Sequence, residues 1–346
     1  MRAAPASVPL PVVPRPNADE RLSSWLRRLA QLYGMPMEAF LECCGLSGCS
    51  ATALEWRLGG GEGALLASRT GMTIEGLRAL TFEEIAPQAR LMVALGSRYI
   101  CPLCPAAIHR KAGALPWNFR CSEHNIRLEA SGGRRLQAVL PEGHLTALDL
   151  NACVGAIRLA AWARGKDAGM PTVPALLDFL TTRHRRSSPP SLAEQPILSL
   201  AARRANHDFL ARPIARQALL IVVPEYDRVA PVLAKPVRSG LFSLAQGSLL
   251  QNYALAVGIG RLSADPAGCA ASVLLASDQD GEERLREALR AWPLALRRRV
   301  YARLGRLRAA RNGASAVAPP ARPHRKSPQS HQFRFSQSHN DAPGIS

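Results

Sequence analysis

The chain has 346 residues, enough for two to three domains at roughly 150 residues each, and 47% of them are hydrophobic, which excludes a wholly disordered protein. Lys+Arg number 44 against 26 Asp+Glu, a formal net charge of +18 that favours a polyanionic partner, nucleic acid first. Only Lys111, Lys166, Lys235 and Lys326 are lysines, so codon bias explains the arginine preference but not the scarcity of acids.

Residues 1–16 read as a proline-rich, extended lead-in without the apolar h-region of a signal peptide. A helix follows, with Asn17 as expected N-cap and Glu20 three residues on as in a capping box. Leu22, Trp25, Leu26, Leu29 and Leu32 form its apolar stripe, Trp25 as a core anchor, and Arg21, Arg27, Arg28 and Gln31 lie opposite. Gly34 ends it, and residues 37–43 make a second short helix. After Gly59-Gly60-Gly61, residues 62–69 and 73–80 read as a helix pair joined at Gly71, with Thr73 as N-cap. The pair has helix-turn-helix proportions, and Arg78 is its one obvious contact for phosphate or base.

From Gly143 a helix is expected with Leu145, Leu148, Val154, Ile157, Ala161 and Trp162 in its stripe and Cys153 in the core. Residues 183–190 read as a basic linker, 192–211 and 241–262 as helices, and 217–224 as a strand. Residues 282–311 form a basic helical region broken at Pro293, in which Arg297, Arg298, Arg299, Arg303 and Arg306 are candidate nucleic-acid contacts. Beyond residue 312 the Ser-, Pro-, Gln- and His-rich composition predicts a disordered basic tail. The longest weakly polar run found here, 266–276, is far short of the ~20 residues of a membrane span, so a cytoplasmic location without membrane contact is expected. In that reducing compartment the eight cysteines serve as metal ligands or small buried hydrophobes.

One segment carries specific chemistry. Cys101-Pro-Leu-Cys104, sixteen residues, then Cys121-Ser-Glu-His124 supplies three thiolates and an imidazole in two tight knuckles. That donor set suits one tetrahedral Zn²⁺ and leaves no open position, so the site reads as structural, the metal standing in for an apolar core too small to form in ~40 residues. Cys43, Cys44 and Cys49 lack a second knuckle and read as buried or incidental; His109, Arg110 and Lys111 read as a solvated basic edge. No H-x-E deaminase signature and no G-x-x-x-x-G-K-[ST] phosphate loop is present, so no catalytic residue is assigned.

The run Pro-Arg-Pro-Asn-Ala-Asp-Glu-Arg-Leu-Ser-Ser-Trp-Leu-Arg-Arg-Leu-Ala at 14–30 resembles the start of the TniQ family. Tyr33-Gly34, Leu80-Thr81-Phe82, Arg98-Tyr99-Ile100 before Cys101, Trp117 before Cys121, and Leu128 continue the resemblance over about residues 9–130. It implies a transposition accessory protein with helix-turn-helix and zinc-binding regions, working beside a transposase and an AAA+ ATPase regulator and, in some relatives, an RNA-guided targeting complex. Its zinc ligands map onto Cys101, Cys104, Cys121 and His124. Many members carry a further C-x2-C where this chain has Ser131-Gly132-Gly133, so one zinc is expected.

The expected architecture is mainly α. Residues 1–95 form a helical region with the helix-turn-helix-like pair, 96–142 a small zinc-ribbon-like module, 143–312 a second helical region, and 313–346 the tail. The expected function is a non-enzymatic link between a target or guide complex, DNA and the transposition machinery. A sequence-specific DNA-binding regulator is the alternative, and a nuclease or recombinase a further one.

Overall fold

The computed structural model describes residues 8–131, 142–184, 216–229 and 239–316. It is mainly helical, and its contacts separate one compact unit, Met1–Arg308, from a short one, Ala309–Ser346. Helices α1 (Leu22–Leu32), α2 (Met37–Cys43), α3 (Ala51–Trp56), α4 (Gly60–Thr70) and α5 (Ile74–Ala79) come first. After α6 (Pro87–Arg90), strand β1 (Tyr99–Ile100), helix α7 (Lys111–Ala114) and strand β2 (Glu129–Ala130) form the cysteine-bearing segment. Then follow α8 (Glu142–Ala163), α9 (Val173–Thr181), β3 (Arg183–His184), β4 (Arg216–Gln217), α10 (Leu219–Val222) and α11 (Pro224–Val229). The last elements are α12 (Phe242–Gln246), α13 (Leu249–Ala264), α14 (Pro266–Ala276), α15 (Gln279–Ala288) and α16 (Leu294–Ala316). Both strand pairs are antiparallel, with Tyr99 opposite Ala130 and Arg183 opposite Gln217.

The first five helices close around Leu22, Trp25, Leu26, Leu29, Phe40, Leu41, Leu54, Leu66 and Leu77. Each such side chain, fully buried, contributes about 1.5–3 kcal/mol. The lead-in runs back over this bundle: Trp25 Nε1 donates to the Pro14 carbonyl at 2.9 Å, and the Tyr33 hydroxyl donates to the Val12 carbonyl at 2.7 Å.

The start of α1 differs from the capping box expected. Glu20 does reach back, accepting from the Asn17 amide at 2.8 Å, but this closes a separate turn in which Asp19 adopts a positive φ of 57°. Arg21 is extended, the helix begins at Leu22, and no local side chain caps it. The cap is tertiary. Glu55 on α3 accepts from the Ser23 amide at 2.9 Å, and Leu80 O accepts from the Leu22 amide at 2.9 Å. The same Glu55 forms a two-point pair with Arg21, at 2.6 and 3.2 Å, with both side chains buried. Leu32 is 52% exposed, because the buried face of α1 continues through Ala30 and Tyr33.

The second core is built on the crossing of α8 and α13. A Cβ on Gly155 would overlap the Ala256 carbonyl, and one on Gly260 the Asn151 carbonyl, so glycine lets the two backbones touch. The buried positions of α8 are Leu145, Leu148, Ala152, Leu159, Trp162 and Ala163. Val154 and Ile157, expected in the stripe, are exposed, and so is Cys153. The reason is angular: residues two beyond Ala152 and Gly155 stand about 200° round the helix. The expected strand at 217–224 is also corrected. Only Arg216–Gln217 is extended, and Leu219–Val222 turns helical, with Leu219 and Val222 buried.

Residues 183–184 pair as β3, and the remainder of the expected linker, like the helix expected at 192–211, lies outside the described residues. The expected helix at 241–262 is two, parted at Gly247-Ser248, and the break at Pro293 occurs as expected. The longest apolar run is not 266–276. Leu145–Ala163 within α8 has, among the described residues, the length and composition to cross a membrane. Its charged Arg158 and Asp149 are engaged with Asp167 and Ser263 and with Arg127 and Tyr253, as in a helix of a folded core.

Glu55→Ala should cost about 3–5 kcal/mol, since it strands the Arg21 guanidinium without its counter-ion. Urea unfolding followed by circular dichroism measures this, and a loss below about 1 kcal/mol would show that the pair is dispensable.

Candidate metal centre

Strand β1 delivers Cys101 at its end, and the Cys104 amide folds back on the Cys101 carbonyl at 3.2 Å. The second knuckle caps a narrow hairpin. The Leu128 amide donates to Phe119 O at 2.8 Å, and the Cys121 amide donates to Ile126 O at 2.9 Å. Asn125 takes a left-handed turn with φ 50° and closes the knuckle, its amide donating to Cys121 O at 3.0 Å.

The three sulfurs and the imidazole nitrogen all lie within 4.8 Å of one another. Nδ1 of His124 is 3.5 Å from Cys101 Sγ, 3.4 Å from Cys104 Sγ and 3.6 Å from Cys121 Sγ. Cys104 Sγ and Cys121 Sγ are 3.7 Å apart. With Zn–S near 2.3 Å and Zn–N near 2.0 Å, the edges of a tetrahedral site are about 3.5–3.8 Å long. The donor set therefore fits such an ion in number, chemistry and spacing. Burial opposes a thiolate at Cys121, yet the backbone N–H groups of His124 and Glu123 outweigh it and draw the thiol down to about 7. Burial and the neighbouring sulfurs of Cys101 and Cys121 push Cys104 up to about 12.

The cysteine segment was expected to lack an apolar core; instead it shares one. Tyr99, Trp117, Phe119 and Leu128 are buried in the same cluster as α8 and α13. Phe119 meets Tyr253 edge-on at 5.4 Å, and Arg98 donates to the Leu244 and Ala245 carbonyls at 2.7 and 2.6 Å. Asp149 on α8 accepts from Arg120 at 2.6 Å, Arg127 at 2.9 Å and Tyr253 at 2.7 Å.

The basic edge at 109–111 is also corrected. Arg110 is buried and bound to Glu123, while Lys111 pairs with Glu84 at 2.8 Å and lies over Phe82. His109 is half-buried and is not part of the sulfur cluster; burial holds it in its neutral form more firmly than usual, as do Arg27 and Arg21. Sequence reasoning missed these three because their partners (Arg21 and Ser24 for His109, Glu123 for Arg110, Glu84 for Lys111) are distant in the chain or hidden inside a knuckle. Cys43 is exposed, Cys49 half-buried, and burial raises Cys44 to about 11; none of them joins a metal cluster among the described residues.

Of the candidate nucleic-acid residues, Arg78 is half-exposed on the six-residue α5, 3.6 Å from Glu83. The α4–α5 turn forms as expected, with Gly71 left-handed and Thr73 capping the Gly76 amide at 3.0 Å. On α16, Arg298, Arg299, Arg303 and Arg306 are exposed and Arg297 is half-buried, while Val300 and Leu304 anchor the helix in the core. Arg299, Arg303 and Arg306 fall at i, i+4 and i+7 and so share a face.

A mainly helical fold with a small strand pair around a Cys3His cluster defines the class. Residues 11–128 match the TniQ family, and the chain therefore carries a TniQ domain over that span. This domain implies a role in transposition and partners in a transposition complex; TniQ proteins are accessory and generally non-catalytic. No curated protein and no solved structure matches the chain.

Asp149 sets a pH limit on the docking of the hairpin. Burial raises its pKa, but hydrogen bonds from Arg127, Tyr253 and Arg120 outweigh that and hold it below the ordinary carboxylate value. A depressed carboxylate contributes its stability fully above the unfolded pKa of about 3.9 and loses it as pH falls through the folded value. Asp149→Asn should therefore remove part of the acid sensitivity below about pH 4 and lower stability at pH 7 by about 1–2 kcal/mol. Thermal melts from pH 3 to 7 measure both, and parallel wild-type and variant profiles would count against the clamp.

Proposed function

We propose that the chain is a non-enzymatic accessory factor of DNA transposition, acting in the cytoplasm to link a target or guide complex to a transposase and its AAA+ ATPase regulator. The TniQ match over residues 11–128 is the observation that carries this reading. One structural Zn²⁺ held by Cys101, Cys104, Cys121 and His124 completes the domain. Four protein ligands leave no site for substrate or water, so the ion supplies cross-linking rather than Lewis-acid chemistry.

The exposed arginines of α16 supply sequence-independent contact with DNA, and each phosphate they neutralise releases counterions. The α4–α5 hairpin supports a second reading, a sequence-specific DNA-binding regulator. The shortness of α5 and the nearness of Arg78 to Glu83 count against it.

Elemental analysis of the purified chain should give about one zinc per molecule, and Cys121→Ala should lose the ion and melt earlier. Zinc-free protein with an unchanged melt in the variant would refute the structural-zinc reading.

The function itself is tested by reconstitution with a transposase and an AAA+ ATPase regulator. Omitting the chain should abolish targeted integration, while Arg299→Ala, Arg303→Ala and Arg306→Ala together should weaken DNA binding and flatten its salt dependence by about two to three phosphates. Integration that proceeds equally well without the chain would overturn the accessory role. A defined footprint by the chain alone would favour the regulator.

A further inference from the structure

Residues 109–112, in the segment between the two knuckles, are bound to residues 18–24 at the approach to α1 and its first turn. The Arg21 amide donates to His109 O at 2.9 Å, and the His109 amide donates to Ser24 Oγ at 3.0 Å. The Lys111 amide donates to Asp19 O, and the Ala112 amide to Asp19 Oδ2, both at 2.8 Å. Glu20 and Arg110 bridge as antiparallel strand neighbours. Residues 109–112 thus form a strap, laid against residues 18–24 on one side and ending in cysteine knuckles on the other.

Arg110 joins the two sides. One guanidinium nitrogen donates to the Ala18 carbonyl at 2.6 Å, and the other binds the Glu123 carboxylate between Cys121 and His124. Its Nε is buried without a hydrogen-bond partner. Burial disfavours its charge, but the sulfur of Cys104, then Glu123, then Cys121 outweigh this and raise its pKa above the ordinary arginine value. Three thiolates on a divalent ion leave a net charge of −1, and Glu123 adds another negative charge. A guanidinium is the one side chain that can neutralise this, stay charged when buried and still reach a backbone carbonyl beyond.

We propose that Arg110 is the positioning residue of the metal site, and that through it metal binding and the docking of residues 18–24 are one linked equilibrium. The inference rests on the zinc reading above. Linkage is reciprocal: whatever factor the docked strap adds to zinc affinity, zinc adds to the docking of the strap. The N-terminal helices and the metal are then read together by any partner that touches either.

The test is zinc titration of the full chain against a chromophoric chelator, with amide hydrogen exchange at residues 18–24 and 109–112 as a second readout. Arg110→Ala should weaken zinc binding about 10–100-fold, the usual effect of removing a partner of the ligand shell. It should also speed exchange at the Arg21, His109 and Ala112 amides. Arg110→Lys keeps the charge but cannot span Ala18 and Glu123, so it should recover part of the affinity and little of the protection. Ser24→Ala, a small change on α1 outside the ligand set, should lower zinc affinity several-fold. Chelating zinc from wild type should deprotect the same amides.

Equal zinc affinity in wild type, Arg110→Lys and Ser24→Ala, or exchange indifferent to zinc, would overturn the linkage while leaving the zinc site standing. A wild-type chain that takes up no zinc would instead refute the metal reading. If Arg110→Ala does not fold, the other two variants still decide the matter.

Discussion

The pairing of Arg21 with Glu55 is the constraint on which the N-terminal half is arranged. Both groups are out of water, and two buried charges are tolerable only when their geometry is good and their remaining hydrogen-bonding sites are filled. Those sites recruit other elements. The spare nitrogen of Arg21 donates to Leu95 O at 2.8 Å, its guanidinium stacks 5.3 Å over Phe82, and the second demand on Glu55 is the open amide of Ser23. One ion pair thereby fixes α1, α3 and the stretch from Phe82 to Leu95. Apolar contacts would have left those directions loosely set.

Next to it in the chain, Glu20 takes a different set of partners. It is fully buried and bound by Arg28 at 2.8 and 2.9 Å and by Ser24 at 3.1 Å, and the Arg28 and Asn17 hydrogen bonds outweigh burial to keep it below the ordinary carboxylate pKa. Asp19 faces the strap. Three consecutive polar residues, Asp19, Glu20 and Arg21, therefore serve three different neighbours. This gives a physical account of why this domain opens on a conspicuously polar run ahead of its first apolar helix. The cysteine segment completes the design from the other side, offering aromatic residues to α8 and α13 and main-chain groups to α1.

Much of this was legible in the sequence where local chemistry decides the outcome. The C-x2-C and C-x2-H spacings named four side chains that do converge, because a tight turn fixes the distance between its own ends. Trp25, Leu26 and Leu29 went to the core because a helix keeps its period over three turns. Thr73 capped its helix as expected for the same local reason. What stayed hidden was set by partners far along the chain. Glu55, rather than Asn17, satisfies the start of α1, and Arg110, flanked by His109 and Lys111, resembles a surface cluster until Glu123 and Ala18 are known. The 217–224 run is β-branched and apolar enough for a strand, yet tertiary packing bends Leu219–Val222 into a buried turn of helix. On α8 the composition is apolar nearly all round, so periodicity could not say which side faces Gly260.

The spacing of these contacts also dictates an order of events during synthesis. Asp19 waits for Ala112, 93 residues after it, and Arg98 waits for Ala245, 147 residues after it. A ribosome adding roughly 5–20 residues per second leaves the Asp19 carboxylate facing water for roughly 5–20 seconds, long after Glu55 and Leu80 have reached the first amides of α1. The cysteine segment then emerges before the helices that cover its aromatic face. The chain is thus committed to a long interval in which its two halves exist as half-made interfaces joined at the knuckles. Translation through residues 113–245 is therefore the interval in which the aromatic face of the cysteine segment is made but not yet covered.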